Sequence, residues 1–439
     1  MARSSGRVDA APPARFSASG HRYRIENNRL FFDRGSAPFD YFIGSNAAGQ
    51  SYLFARDGYL FELPVTWYRQ KQAWDASPGY EQDTEVRLSR PVDPTCLSCH
   101  ASRLRPIYGT QNRYDDPPFL DNGVSCERCH GAGSEHARNP GAAAMANPAK
   151  LTPDARDSVC VQCHLTGEAR IERAGRRFAE FRAGAKLSDY VTYFVWAPKD
   201  PAMKVSSHVE KLAMSACKRA AGDALWCGTC HDPHTGANRT QEACVQCHSG
   251  AHHREESCAP CHMPRSKTVD VEHGVMTDHR IQRSDRQSPA AANQARELQA
   301  FLGESDDRQL GLAYAEVGDP RAREYLLRAK PADASVLVRL ATLEKNPILA
   351  KEKYEQALRE APANPVALVN LGALYAQSGR IEDAARMWNR ALEANPAIEG
   401  AALNLARIRP RAPARAVLKR YLLFNPDSAA ARAALDALP

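Results

Sequence analysis

The sequence predicts a multidomain protein with a small β-rich N-terminal region, a loop-and-helix domain built around Cys/His motifs, and an all-α solenoid. Three observations predict it. Fourteen of the 33 aromatic residues fall between Tyr23 and Tyr80. All 13 Cys lie between Cys96 and Cys261. The chain after His279 contains neither Cys nor His and repeats with a period near 34 residues. At 439 residues the chain is too long for one ordinary core.

Composition narrows the class. Hydrophobic residues make up 43% and charged residues 25%, as in globular chains. Mean hydropathy is −0.51, and no apolar run is long enough to span a bilayer as a helix. The net charge of +7, from 58 basic and 51 acidic residues, is spread without a Lys/Arg block. Nucleic acid is therefore not an expected partner.

Residues 1–20 are small and polar, carry Pro12 and Pro13, and lack the apolar stretch of a secretory signal. Residues 21–92 read as β. Tyr52 and Phe54 alternate with smaller residues, Asp57-Gly58 follows, and Tyr59, Phe61 and Leu63 alternate again. Asp-Gly between two such runs predicts a hairpin, because a type I′ turn needs positive φ at both positions. Trp67, Trp74 and Tyr80 follow, and the aromatics are expected to form a small sheet's core. His21 is expected at the surface.

Residues 93–280 hold the Cys/His motifs in Pro- and Gly-rich sequence. One stretch, 203–222, predicts a helix with Val205, Val209, Leu212 and Ala216 on one face. Residues 281–302 read as a linker. In 303–439, Leu371, Gly372, Tyr375, Gly379, Ala384, Trp388, Ala391 and Pro396 fit the tetratricopeptide (TPR) pattern. The preceding unit ends at Pro362, 34 residues before Pro396, and weaker copies lie around Leu310, Gly311 and Tyr314, at Leu340 to Pro362, and at Leu405 to Pro426. Four stacked units suffice for a shared core. The expected TPR solenoid is an arm separable from the rest, whose concave face docks a protein.

The chemistry lies in a motif written six times, Cys-x-x-Cys-His: Cys96/Cys99/His100, Cys126/Cys129/His130, Cys160/Cys163/His164, Cys227/Cys230/His231, Cys244/Cys247/His248 and Cys258/Cys261/His262. Two thiols at this spacing form thioethers to the two vinyl groups of one haem, and the adjoining His ligates the iron from the proximal side. Zinc knuckles, disulfides and redox pairs also use Cys-x-x-Cys, but none requires His directly after the second Cys. Six covalently attached haems c are therefore expected in a multihaem cytochrome c domain. With so few residues per haem, the macrocycles must pack closely and form much of the core. Cys217 is left over and reads as a buried structural thiol.

Distal ligands are sought among the remaining His. His136 and His234 closely follow motifs, His208 is on the expected helix, His252 and His253 lie between the last two motifs, and His273 and His279 follow the sixth. Met203, Met214, Met263 and Met276 are alternatives that would raise the potential, ranked below bis-His ligation.

These features resemble periplasmic or secreted multihaem c-type cytochromes with a C-terminal TPR array, related to the cytochrome c-554 and doubled-CXXCH families. The resemblance rests most specifically on 44–67 (GSNAAGQSYLFARDGYLFELPVTW), 123–136 (GVSCERCHGAGSEH), 226–234 (WCGTCHDPH) and 258–281 (CAPCHMPRSKTVDVEHGVMTDHRI). It implies structural importance for His136, His208, His234, His273 and His279, several as distal ligands. It also implies an export signal and a further motif ahead of a segment similar to MARSSG, so Met1 is expected to be internal to a longer reading frame. A periplasmic or extracellular location follows, since haem c is attached outside the cytoplasm.

The expected function is electron transfer through mostly bis-His haems, with the TPR arm docking redox protein partners or assembling with other subunits in an oligomer. Whether the protein is also an enzyme stays open. The alternative is a multihaem reductase or oxidoreductase of small nitrogen or sulfur species, with one open-site haem. All six motifs end in His, not in the Lys that marks the open-site haem of pentahaem nitrite reductases, which favours the carrier. A structural or sensing module read out by the solenoid is the third reading.

Overall fold

The computed structural model describes residues 3–45, 48–140, 145–197, 202–248, 257–282 and 296–438. The chain divides into two compact units whose borders differ from the expected segments. One is built mainly from Gly123–Asp319, the other from Ser4–Asn122 and Pro320–Pro439.

In the second unit, the N-terminal region is β-rich, as its aromatics predict. Strands Gly49–Arg56 and Tyr59–Tyr68 form the expected hairpin, with φ of 54° at Asp57 and 80° at Gly58. They sit in a six-stranded sheet with Ser5–Arg7, Tyr41–Ile43, Ala73–Ala76 and Arg90–Pro91. A four-stranded meander runs Ala14–Ala18, His21–Glu26, Arg29–Phe32, Gly35–Pro38. Residues 1–20 are thus not merely a polar lead-in. Ser19-Gly20 (φ 50° and 77°) closes a hairpin that pairs Ala14–Ala18 with His21–Glu26, and Asn27-Asn28 (φ 52° and 53°) closes the next. Tyr23, Leu30, Phe39, Tyr52, Phe54, Phe61, Trp74 and Tyr80 are buried in one core.

The helical array shares this unit and is not separable from it. Phe424 is fully buried in the β region's core, its ring 5.5 Å from that of Phe61. Gln111 N–H donates to the Ala394 carbonyl at 3.0 Å, and Val86 N–H to Asp427 Oδ2 at 3.0 Å. Tyr59 Oη also donates to the Glu393 carbonyl.

Helices Ala334–Leu343 through Arg411–Leu422 form successive antiparallel pairs. Pro365–Gln377 starts at Asn364, whose side chain accepts from Ala367 N–H at 3.0 Å. Gly372 is required by its neighbour: a Cβ there would lie 2.5 Å from Trp388 Nε1. Trp388 is buried and donates to the Val369 carbonyl at 3.1 Å, which locks the two helices of the clearest repeat. The weak copy at Leu310 to Tyr314 behaves differently. Its helix, Asp307–Glu316, belongs to the first unit and packs on strands Ala169–Glu172 and Glu297–Leu302.

The first unit is poor in apolar core. One cluster joins Val161, Leu165, Phe178, Phe181, Leu187, Val191 and Tyr193. Strands Ala169–Glu172, Val191–Ala197 and Glu297–Leu302 make its three-stranded sheet, so the end of the expected linker is a strand, and Arg265–Lys267 pairs with Val275–Thr277 in a second, two-stranded one. The helix expected over 203–222 is two short helices, His208–Ala213 and Ala216–Ala221, divided at buried Ser215. The fully buried side chains of the first are Glu210 and Lys211, with Val209 partly buried against the apolar cluster, and Glu210 Oε1 accepts the N–H groups of Thr166 (3.0 Å) and Gly167 (2.7 Å). Cys217 is partly exposed, which removes the buried-thiol reading. His21 is half-buried, with Nε2 3.2 Å from the Asp83 carbonyl oxygen.

Phe424→Ala removes a large ring from the β region's core and should cost about 3–5 kcal/mol of stability. Denaturant unfolding of the full chain checks this. A loss under about 1 kcal/mol would mean that the helices and the β region do not share a core.

Candidate haem-binding sites

Each motif lies on a helical turn or at a helix end. The segments are Pro94–Leu97, Cys126–His130, the end of Pro153–His164, Cys227–Cys230, the end of Thr240–Cys247, and Ala259–His262. On a helix, positions three and four apart share a face. The turn therefore brings Cys, Cys and His of a motif to one side. In the last three motifs the His N–H closes an i→i−4 bond to the first Cys carbonyl, at 2.9, 2.9 and 3.0 Å.

The first motif has a dedicated cap. Asp93 Oδ1 accepts from Thr95 N–H at 2.7 Å and Cys96 N–H at 3.1 Å. Its Cys96, Cys99 and His100 share the unit of the β region, whereas the other five motifs lie in the first unit.

None of the thirteen cysteines is in a disulfide, and every motif cysteine is a residue that is at least partly exposed. That suits covalent attachment better than a structural role, since structural thiols are buried and inert. Across motifs, four first thiols come together in twos. Cys160 is pushed up by its hydrogen bond with Cys227 and by burial. Cys244 is pushed up to about 11 by burial and by Cys258. The second thiols follow their helices. Cys163 is half-buried in the last turn of Pro153–His164, one turn beyond Cys160, while Cys247 and Cys261 are exposed.

Several imidazoles are held from behind. Nδ1 of His130 is 2.7 Å from the Ala146 carbonyl, Nδ1 of His231 is 2.7 Å from Asn238 Oδ1, and Nδ1 of His262 is 2.7 Å from the Gln282 carbonyl. A carbonyl oxygen only accepts, so each Nδ1 carries the proton and Nε2 keeps its lone pair. Metal-ligating His are fixed in this way. His248 departs from this pattern. It stands just past the end of Thr240–Cys247 with its side chain exposed, and what fixes it is its backbone N–H on the Cys244 carbonyl.

Among the distal candidates, His234 lies 5.9 Å from His130 between ring centres. His208 approaches His164 (5.0 Å) and His279 (4.8 Å), and His279 is 6.2 Å from His231. Burial followed by the neighbouring imidazoles pulls the pKa of His208 down to about 3. His279 Nδ1 is 2.9 Å from the Thr277 carbonyl. His136 lies on helix Ser134–Arg138. His273 is in the turn between Arg265–Lys267 and Val275–Thr277, with Nε2 3.9 Å from Glu272 Oε1. His252 and His253 lie outside the described residues. Sequence reasoning missed Asn238 and the carbonyls of Ala146, Thr277 and Gln282, which no local pattern marks. The Asp93-Pro94 cap signal was present but not used.

Residues 66–131 match the family described as cytochrome c554 and c-prime. That segment contains the first two motifs, and a cytochrome c family implies covalently bound haem c, electron transfer and an extracytoplasmic setting. Residues 341–408 match the tetratricopeptide repeat, an assembly of helices for protein–protein interaction. No curated protein matches the chain.

Among solved structures, a tetratricopeptide repeat protein from Parabacteroides merdae is 24% identical over 29% of this chain, TM-score 0.26, and the chain spans 56% of its length. The pilF protein of Pseudomonas aeruginosa is 26% identical over 30% of this chain and 65% of its own, TM-score 0.27. The outer cell wall cytochrome OcwA is 15% identical over 81% of this chain and 88% of its own, TM-score 0.38. No helix among the described residues is long and apolar enough to cross a membrane.

Asp93→Ala should lower holoprotein stability by about 1 kcal/mol, the usual value of an N-cap, while Asp93→Asn should retain most of it. Urea unfolding of both variants checks this, and equal losses would remove the cap from the account.

Proposed function

We propose that the protein is a six-haem c-type cytochrome that transfers electrons through closely packed, mostly bis-His haems, with its repeat region engaging a redox protein partner or a larger assembly. Haem c supplies one-electron chemistry whose potential is set by axial ligation, hydrogen bonding and burial.

The observation that carries the reading is the burial pattern around the last three motifs. Between Met203 and Gln282 no described apolar side chain is buried, and the buried side chains are Ser207, Glu210, Lys211, Ser215 and Asp278. Such a stretch cannot be held compact by its own hydrophobic burial. Thiols on one face of each turn, with His231 and His262 oriented by a carbonyl, suit attachment of an apolar macrocycle that fills this role. The chain's part is to anchor, orient and enclose.

One observation keeps the second reading in play, a reductase or oxidoreductase of small nitrogen or sulfur species. Within Ser4–Asn122 and Pro320–Pro439 the sequence holds two His, His21 and His100, and His21 Nε2 is engaged with Asp83. The iron at His100 is where an open position would fall.

Pyridine haemochrome counting on protein matured by export should give six haems, and EPR of the oxidised form should be dominated by low-spin signals. A dominant high-spin signal that shifts on adding nitrite or hydroxylamine would favour the enzyme. Cys129→Ala should reduce the covalent haem count by one. An unchanged count would remove that motif from the set. Expression in the cytoplasm without an export signal should yield haem-free protein, and haem loading there would contradict the extracytoplasmic assignment.

A further inference from the structure

We propose that His234 is the second axial ligand of the iron carried by the Cys126–His130 motif, and His279 that of the iron carried by the Cys227–His231 motif. The short turn from His231 to His234 then holds ligands of two different irons. This rests on the haem reading above.

Geometry separates these pairs from the other ring contacts. Metal–imidazole bonds of about 2 Å put two ligands on opposite sides of one metal with ring centres about 6 Å apart. His130 and His234 are 5.9 Å apart with planes inclined by 21°, and His231 and His279 are 6.2 Å apart at 28°. The remaining contacts described above are closer and edge-on: His164–His208 at 5.0 Å and 87°, His208–His279 at 4.8 Å and 75°. Those rings touch each other, leaving no room for a metal between them.

The supports behind the rings agree. His130, His231 and His279 each have Nδ1 tied to a carbonyl oxygen, of Ala146, Asn238 and Thr277 respectively. This commits Nε2 to whatever lies in front of the ring. His234 is placed by its backbone. Asp232 Oδ1 accepts the His234 N–H at 2.9 Å, and Gly236 N–H closes the turn on the Asp232 carbonyl at 2.8 Å. Asp232 is thus a positioning residue. Being three residues apart across this turn, His231 and His234 meet different partners, His279 and His130.

The test uses the full chain, matured with haem. His234→Ala and His279→Ala should each keep the parent's covalent haem count and each convert one haem from low to high spin by EPR, with added imidazole restoring low spin. His21→Ala should leave the spectrum unchanged. The pairing is read by combination. In a background lacking the second motif's haem (Cys126→Ala with Cys129→Ala), His234→Ala should add no high-spin signal, while His279→Ala still adds one.

A high-spin signal from His234→Ala in that background overturns the pairing, as does its absence from either single variant. If an Ala variant loses haem, His234→Met and His279→Met decide. Each should retain the count and move one centre to higher potential, and unmoved potentials overturn the assignment. Failure of the haem reading is distinct, since the parent itself would then carry no covalent haem.

Discussion

Hydrophobic burial is the constraint on which the rest of the protein depends, and it is distributed unevenly. The β region and the helical array bury aromatic and aliphatic side chains in continuous clusters. From Met203 to Gln282 the described chain buries only polar side chains. Glu210 shows how that polar interior is organised, with one carboxylate oxygen closing the backbone N–H groups of Thr166 and Gly167. Hydrogen bonds of this kind direct the chain but contribute little net stability. On the proposed reading, the Cys pairs around them recruit apolar surface that the sequence does not encode. Covalent attachment suits that task, because a macrocycle bonded to the chain cannot leave when the chain opens locally.

The other unit follows ordinary packing, and its consequence is functional. The first motif, the β region and the helical array share one compact body. Phe424 lies in the same core as Phe54 and Phe61, and the hydrogen bonds from Gln111 and Val86 tie loops of the β region to the array. A partner engaging the repeats would therefore contact the body that carries Cys96, Cys99 and His100. On the proposed reading, docking and the first redox centre would belong to one body.

Much of this was legible where the signal is local. Asp57-Gly58 fixed its hairpin because positive φ at two positions is a chemical requirement, and the repeat around Gly372 and Trp388 followed because only Gly admits that indole. The hairpin at Asn27-Asn28 obeys the same rule inside the expected β region, whereas that at Ser19-Gly20 takes its first strand from the polar 1–20 segment, which hid it. Non-local choices were not legible. The stretch 203–222 was expected as one helix, but it breaks at buried Ser215, and a carboxylate bound to distant backbone holds the Glu210 side of His208–Ala213. Asp307–Glu316 carries repeat-like residues, yet a sheet edge claimed it, with Leu298 N–H donating to Tyr314 Oη at 3.2 Å. The motifs were visible as text and read alike. Yet His231 is backed by Asn238, seven residues on, a partner that the motif itself does not mark. Which imidazoles meet is tertiary as well, and the spacing of His130 and His234 in sequence says nothing about it.

The central claim, that attached haem does the work of a hydrophobic core in 203–282, is tested most directly by amide hydrogen exchange on haem-loaded and haem-free protein. The account predicts that amides of 208–213, 240–247 and 259–262 are protected in the loaded protein and exchange at nearly unfolded rates without haem, while 365–394 is protected in both. Equal protection of the motif helices in the two forms would contradict it, because the polypeptide would then be holding that region together by itself.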